Sequence, residues 1–119
     1  MKIMIVDDSM MVRRIIEKFA DKLKLEVVGQ AANGREAVEN FEKLRPELVT
    51  LDMTMPEMDG LTAMQKILAI DPKARIIIAS AVNNSDTIVQ ALNSGAKAYL
   101  VKPFDEAKMI ATFTKVMEN

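Results

Sequence analysis

The sequence predicts an α/β chain in which five short strands alternate with five amphipathic helices. The strands would form one parallel sheet covered on both faces. Three observations carry this. Apolar runs of five to seven residues ("KIMIV", "LEVVG", "ELVTLD", "ARIIIAS", "AKAYLV") recur along the chain, the length of buried strands. Apolar residues three and four apart fill the stretches between them, the spacing of a helix face. The 119 residues suffice for one core, and no linker-like segment interrupts them, so residues 1–119 read as a single domain. Strict alternation implies parallel pairing and right-handed crossovers.

The elements follow in order. Lys2–Val6 is the first strand. Residues 10–23 form a helix, with Met11, Ile15, Phe19 and Leu23 spaced by four as its apolar stripe. Leu25–Gly29 is the second strand. Asn33 opens the second helix as a cap, and Glu36 three residues on completes a capping box. Ala37, Phe41 and Leu44 make its stripe, and Pro46 ends it. Glu47–Asp52 is the third strand. Gly60–Ile70 is the third helix, with Leu61, Met64, Ile67 and Leu68 on one side. Ala74–Ser80 and Ala96–Val101 are the last strands, separated by a helix over Ser85–Asn93 that Gly95 stops. Residues 105–117 close the chain as a helix capped by Asp105, with Phe104 placed to staple against Met109. Met4 and Met64 fill the core.

Two strand orders suit this layout, 2-1-3-4-5 and the dinucleotide-binding type. In either, chemistry gathers beyond the carboxyl ends of the strands, where the order switches. In the first order strands one and three are neighbours, and Asp7, Asp8 and Asp52 then meet at one edge.

Composition narrows what that edge does. Half of the residues are apolar, 28% are charged with both signs mixed, and the net charge is -1. No basic cluster suggests nucleic acid. No apolar run approaches the length of a membrane span, and "MKIMIVDDS" turns acidic too early for a secretory leader. Cysteine and histidine are absent, so any metal must be held by oxygen, which favours a hard cation. These features together suggest a cytoplasmic protein.

Crowded carboxylates raise one another's pKa unless a cation intervenes. Mg2+ suits such a site, because it takes few protein ligands, keeps waters and bridges to phosphate. Asp8 and Ser9 serve equally well as caps for the first helix. Asp52 has no such role, since "MTMP" follows it. Ser80 and Lys102 end the fourth and fifth strands. Each alone is an ordinary turn serine or surface lysine, yet both lie at the acidic edge. Together these groups suit phosphoryl transfer onto a carboxylate. Mg2+, Lys102 and Ser80 would share the charge on the equatorial oxygens, and Asp52 would be the nucleophile. An ionised carboxylate needs no general base.

The motifs "VDDS", "LDMTMPEMDG", "SA" and "KPF", in this order at these strand ends, resemble the receiver domain of two-component response regulators. The resemblance covers essentially the whole chain and is strongest to the stand-alone, CheY-like chemotaxis kind. It implies the flavodoxin-like (βα)5 fold with order 2-1-3-4-5. It makes Asp52 the phosphoacceptor. It gives Mg2+ to Asp8 and Asp52 directly, to Asp7 through water, and to the backbone carbonyl of Thr54. Lys102 would pair with the phosphoryl group, and Ser80 would move toward it. Tyr99 would turn inward with phosphorylation. Pro103 matches a position that often follows a cis bond, and Pro56 and Gly60 match the loop after the phosphoacceptor.

The implied activity is a signalling phosphoacceptor with self-phosphorylation and weak autodephosphorylation. The implied partners are a sensor histidine kinase, a downstream protein such as a flagellar motor switch, and a phosphatase, with output through roughly Ser85 to Val116. Thr54 and Val82 sit where the family tunes phosphoryl lifetime. Val82 offers no carboxylate or amide to steer water, so the lifetime should differ from that of the enteric chemotaxis regulator. Unchanged rates of phosphate loss in Thr54→Asn and Val82→Glu would remove that expectation.

Three alternatives compete. One is the receiver fragment of a longer transcription factor, cut at Asn119. Another is a small flavin- or nucleotide-binding protein, although "VDDSMMV" puts acids where a glycine-rich phosphate loop would sit. The third is a degenerate, scaffolding receiver, against which the intact acids and Lys102 argue.

Overall fold

The computed structural model describes residues 1–118. Asn119, and with it the idea of a cut there, lies outside the described residues. The elements run β1 (Lys2–Val6), α1 (Met10–Lys22), β2 (Glu26–Ala31), α2 (Gly34–Leu44), β3 (Leu48–Leu51), α3 (Gly60–Ile70), β4 (Arg75–Ser80), α4 (Ser85–Asn93), β5 (Ala98–Val101) and α5 (Glu106–Glu118). All strand pairs are parallel, in the order β2-β1-β3-β4-β5. This is the flavodoxin-like arrangement, not the dinucleotide-binding order.

Alternation along the strands divides the core in two. Met4, Val6, Val49, Leu51, Ile76 and Ile78 face one layer with Phe41 of α2, Met64 and Ile67 of α3 and Ala91 of α4. Ile3, Ile5, Leu48, Ile77 and Leu100 face the other with Ile16 and Ala20 of α1 and Phe113 and Val116 of α5. Central strands buried on both faces must be apolar at nearly every position, which is why β1, β3 and β4 read as unbroken runs.

The caps follow the sequence signals. The Asn33 side chain accepts from the Glu36 N–H at 2.8 Å, and Glu36 reaches back to the Ala32 N–H at 3.2 Å. Asp105 accepts from the Lys108 N–H at 3.2 Å, and Phe104 packs in the same cluster as Met109. Arg45 takes a left-handed conformation before Pro46, and Gly95 does so after α4. The capping duty ahead of α1 falls to Ser9, whose hydroxyl accepts from the Val12 N–H. That leaves Asp8 without it.

Two expectations need correction. The Met11–Ile15–Phe19–Leu23 stripe is only half packed: Phe19 and Leu23 lie against the core with buried Ile16 and Ala20, while Met11 is 73% exposed and Ile15 39%. The helix carries apolar residues on more than one face, and docking on β1 and β2 turns Ile16 and Ala20 to the sheet. The second strand runs to Ala31 rather than Gly29, with an irregular register between Ile3 and Met4 of β1. Pairing with β1 carries it past the end of its apolar run. The other strands trim by up to two residues at their ends.

Thr50 is buried on β3, and its Oγ1 is a buried side-chain polar atom with no hydrogen-bond partner among the described residues. An unpaired buried hydroxyl costs free energy that an apolar group of the same shape does not. Thr50→Val should therefore raise stability by about 1 kcal/mol, seen as a higher urea midpoint at unchanged slope. A lower midpoint would mean that the hydroxyl is satisfied. No helix among the described residues is long and apolar enough to cross a membrane.

Candidate functional site

Register brings the acids together. Val6 of β1 pairs with Leu51 of β3, so the residues after them, Asp7 and Asp52, leave the sheet side by side. Backbone bonds carry the pairing one step further: the Asp7 N–H donates to Ala31 O and the Asp52 N–H to Val6 O, both at 3.1 Å. Alternation then places side chains. Asp7 continues the face of Ile3 and Ile5, Asp52 that of Leu48 and Thr50, and Lys102 that of Leu100. All three project from one side of the sheet edge. The Lys102 Nζ lies 2.7 Å from Asp7 Oδ2 and 3.4 Å from Asp52 Oδ2. Its own backbone is held by a bond from the Lys102 N–H to Ser80 O at 2.8 Å, and the Lys102–Pro103 peptide is cis.

Ser80 and Tyr99 occupy the opposite face and share a neighbour. The Ser80 hydroxyl accepts from the Val82 N–H at 3.2 Å. The Tyr99 hydroxyl donates to the Val82 carbonyl at 2.6 Å. Both side chains therefore grip one residue of the β4–α4 loop. Ser80 is buried and Tyr99 half-buried, packed against the α2–α3–α4 side of the core. Burial pushes the Tyr99 phenol up, a hydrogen bond with Ser80 opposing it, and the nearby Asp52 charge adds to the rise.

The loop after Asp52 is wedged between two helix starts. The Gly60 N–H donates to Met53 O at 2.9 Å, and Asp59 caps α3 by accepting from the Thr62 N–H at 2.8 Å. Asp59 is thus a structural cap and takes no part in the acidic cluster. Arg35 of α2 pairs with Glu57 at 3.4 Å across the exposed side of the loop. Thr54 stands beside the site, its N–H donating to Asp52 Oδ1 at 3.4 Å.

One oxygen from each of Asp7, Asp8 and Asp52 lies within 4.8 Å of the others. Three hard oxygen donors at a strand edge, one of them exposed to solvent, fit a divalent ion that keeps part of its water shell. The electrostatics agree. Burial raises the Asp7 pKa and the Asp52 charge adds to the rise, against hydrogen bonds from Lys102 and the Ser9 N–H. Burial pulls the Lys102 ammonium down, but the Asp7 hydrogen bond and the two carboxylate charges outweigh it, leaving the pKa raised.

A raised carboxyl pKa means that the folded chain holds a proton where the unfolded chain has lost it. Stability therefore falls as pH rises from the ordinary aspartate range through the raised value, and stays lowered above it. Asp7→Asn removes that cost. It should raise the melting temperature of the metal-free protein at neutral pH by about 5 °C, with the gain vanishing toward pH 4. Melting curves in chelator from pH 4 to 8 test this, and a lower melting temperature at neutral pH would contradict it.

Asp7, Asp8, Asp52, Lys102 and Thr54 thus gather in one place, and Ser80 and Tyr99 meet at Val82 beside them. The sequence reading missed Arg13, which donates to the Asp7 backbone carbonyl. Its only visible sign is a basic residue one turn into α1, where the helix dipole disfavours a cation.

Comparison with known proteins agrees with this geometry. The family model described as response regulator receiver domain matches residues 3–114. The chemotaxis protein CheY of Thermotoga maritima is 42% identical over 115 residues, 97% of this chain and 96% of that protein. CheY of Bacillus subtilis is 42% identical over 116 residues, 98% of this chain and 97% of that one. Among solved structures, a chain of the CheX–CheY–BeF3–Mg2+ complex from Borrelia burgdorferi superimposes with a TM-score of 0.94 at 34% identity, covering 98% of this chain and 88% of that one. The flavin- or nucleotide-binding alternative is not favoured by these relatives. A strand order that joins β1 to β3, a strand-end acid trio beside a lysine, and a family match across nearly the whole length lead to one assignment: the chain belongs to the response regulator receiver domain family, as a two-component response regulator of the chemotaxis kind.

Proposed function

We propose that this chain accepts a phosphoryl group from a sensor histidine kinase on Asp52 and passes the signal to a protein partner through α4, β5 and α5. The observation that carries it is Lys102 Nζ lying between Asp7 and Asp52 at the edge where β1 and β3 end. An Asp52 oxygen forms the new bond to phosphorus as the bond to the donor breaks. Thr54 N–H and Lys102 hold the carboxylate from two sides. Lys102 then meets an oxygen of the transferred group. Asp8, Asp52 and the Thr54 carbonyl would hold Mg2+, with Asp7 acting through water, and the ion would supply positive charge to the phosphoryl oxygens. The product is a mixed anhydride open to water, so slow self-dephosphorylation follows from its chemistry.

The output would run through Val82. When the Ser80 hydroxyl turns to a phosphoryl oxygen, it releases the Val82 N–H, and Tyr99 keeps hold of the same residue's carbonyl. Phosphorylation thereby biases the β4–α4 loop and the start of α4. Val89 and Leu92 of α4 are exposed apolar residues on that face. A CheX-like protein, as in the named Borrelia complex, and a flagellar motor switch both suit as targets, with a phosphatase among them. The cytoplasm suits such a module.

Beryllofluoride with Mg2+ tests the switch. The chain has one tyrosine, so its ring signals report Tyr99 alone. They should shift with both additives together and with neither alone. Signals that ignore the pair would contradict the reading.

A further inference from the structure

We infer that Arg13 is a positioning residue for Asp8, acting through the peptide that joins Asp7 to Asp8. The inference rests on the metal-binding role proposed above for the acidic trio. The three acids are held unequally. Asp7 takes the Ser9 N–H at 2.9 Å and Lys102 at 2.7 Å. Asp52 takes the Thr54 N–H and Lys102, both at 3.4 Å. The Asp8 carboxylate is exposed and makes no hydrogen bond or ion pair among the described residues. Only its backbone can aim it at the other two.

That backbone is clamped from one side. The Arg13 Nη1 donates to Asp7 O, the carbonyl of the Asp7–Asp8 peptide. The Arg13 Nε donates to Gln30 Oε1 at 3.1 Å. Gln30 sits on β2, where it pairs with Ile5 of β1, and its Nε2 donates to Glu17 Oε2 of α1 at 2.7 Å. The Gln30 backbone carbonyl in turn accepts from Asn40 Nδ2 of α2 at 3.1 Å. A planar guanidinium with donors in a fixed fork can serve two acceptors at once and carry rigidity from one to the other. Arg13 thus ties the Asp7–Asp8 peptide to β2 and α1 together. Fixing the plane of that peptide places the Asp8 N and Cα and so narrows the directions open to its side chain. The carboxylate then stands within 4.8 Å of its two partners without any bond of its own.

The clamp and the charge of Arg13 act on a cation with opposite signs. A guanidinium near three carboxylates repels an incoming divalent ion, so removing it should strengthen binding if charge were its whole effect. Losing an outer contact that orients a ligand weakens binding, by about tenfold or more. The sign of the change separates the two.

Isothermal titration with Mg2+ alone, at fixed ionic strength, reads it. Arg13→Ala should weaken Mg2+ binding by about tenfold. Arg14→Ala removes an equal charge from the exposed neighbour and should leave binding unchanged or tighter. Gln30→Leu keeps the Arg13 charge but frees its Nε, and should weaken binding by a smaller factor. It also decides the matter if Arg13→Ala fails to fold in chelator. Arg13→Lys supplies a cation without the fork and should recover only part of the loss. Equal or tighter binding in Arg13→Ala, or equal weakening in Arg14→Ala, overturns the inference while leaving the site itself intact. A wild-type chain that takes up no Mg2+ overturns the metal reading and this inference together.

Discussion

Lys102→Met should cost the metal-free protein about 3 kcal/mol at neutral pH. Among the described residues Lys102 is the single cation bonded to either buried carboxylate of the site, and its side chain is only 20% exposed. Methionine keeps the length of the side chain and discards the charge. Asp7 and Asp52 then face each other in a poorly solvated place with no opposite charge, which is where breaking a buried pair costs most. The loss should depend on pH with a definite sign. Without Lys102 the Asp7 pKa rises further, so the folded chain gains a proton over a wider range. The deficit should be full at neutral pH and shrink as pH falls toward the ordinary aspartate range. Mg2+ should restore more stability to the variant than to the wild type, since the ammonium no longer competes for the same oxygens. Urea unfolding at pH 5 and pH 8, with chelator or with Mg2+, checks all three points. A variant as stable as the wild type in chelator at pH 8 would show that Lys102 does not offset the acids.

Gly60→Ala should be more damaging still, by about 3 kcal/mol or more, and should impair the site in whatever remains folded. A Cβ at Gly60 would lie 2.0 Å from the Asp52 carbonyl oxygen and 2.8 Å from Asp52 C and Met53 Cα. All three are backbone atoms with nowhere to rotate. Either α3 withdraws from the sheet, or the chain carrying Asp52 shifts. Mg2+ affinity should therefore fall in step with stability, although residue 60 touches no ion. Gly29→Ala is the contrast. Among the described residues its Cβ would meet Leu44 alone, with Cδ1 at 2.5 Å and Cγ at 4.0 Å, on a flexible and exposed side chain. That change should stay within about 1 kcal/mol and leave Mg2+ binding untouched. Comparable losses in the two variants would mean that the close approach of α3 to Asp52 is not what glycine permits.

Much of the site was legible because its geometry follows from strand ends and strand order. Asp7, Asp52 and Lys102 each follow an apolar run, and period-two alternation puts all three on one side. Caps were legible for the same local reason, as at Asn33 and Asp105. Choices between equally apolar faces were not. Helix α1 offers Met11 and Ile15 as readily as Ile16 and Ala20, and only its docking on β1 and β2 decides. The far end of β2 was missed because Gly29 and Gln30 interrupt its apolar run, while Gln30 and Ala31 are held in the sheet by pairing with Ile5 and Val6. The Arg13–Gln30 bond joins residues 17 apart on different elements, which no local pattern encodes. Thr50 reads as an ordinary β-branched strand residue until its hydroxyl is found without a partner.

The most direct test is intact mass after exposure to acetyl phosphate. The wild-type chain with Mg2+ should gain the mass of one phosphoryl group, lose the gain when a chelator replaces the ion, and shed it slowly on standing. Asp52→Asn should gain nothing under the same conditions. An adduct that survives in Asp52→Asn, or one that forms equally well in chelator, would mean that the reactive oxygen and the cation do not meet where β1 and β3 end.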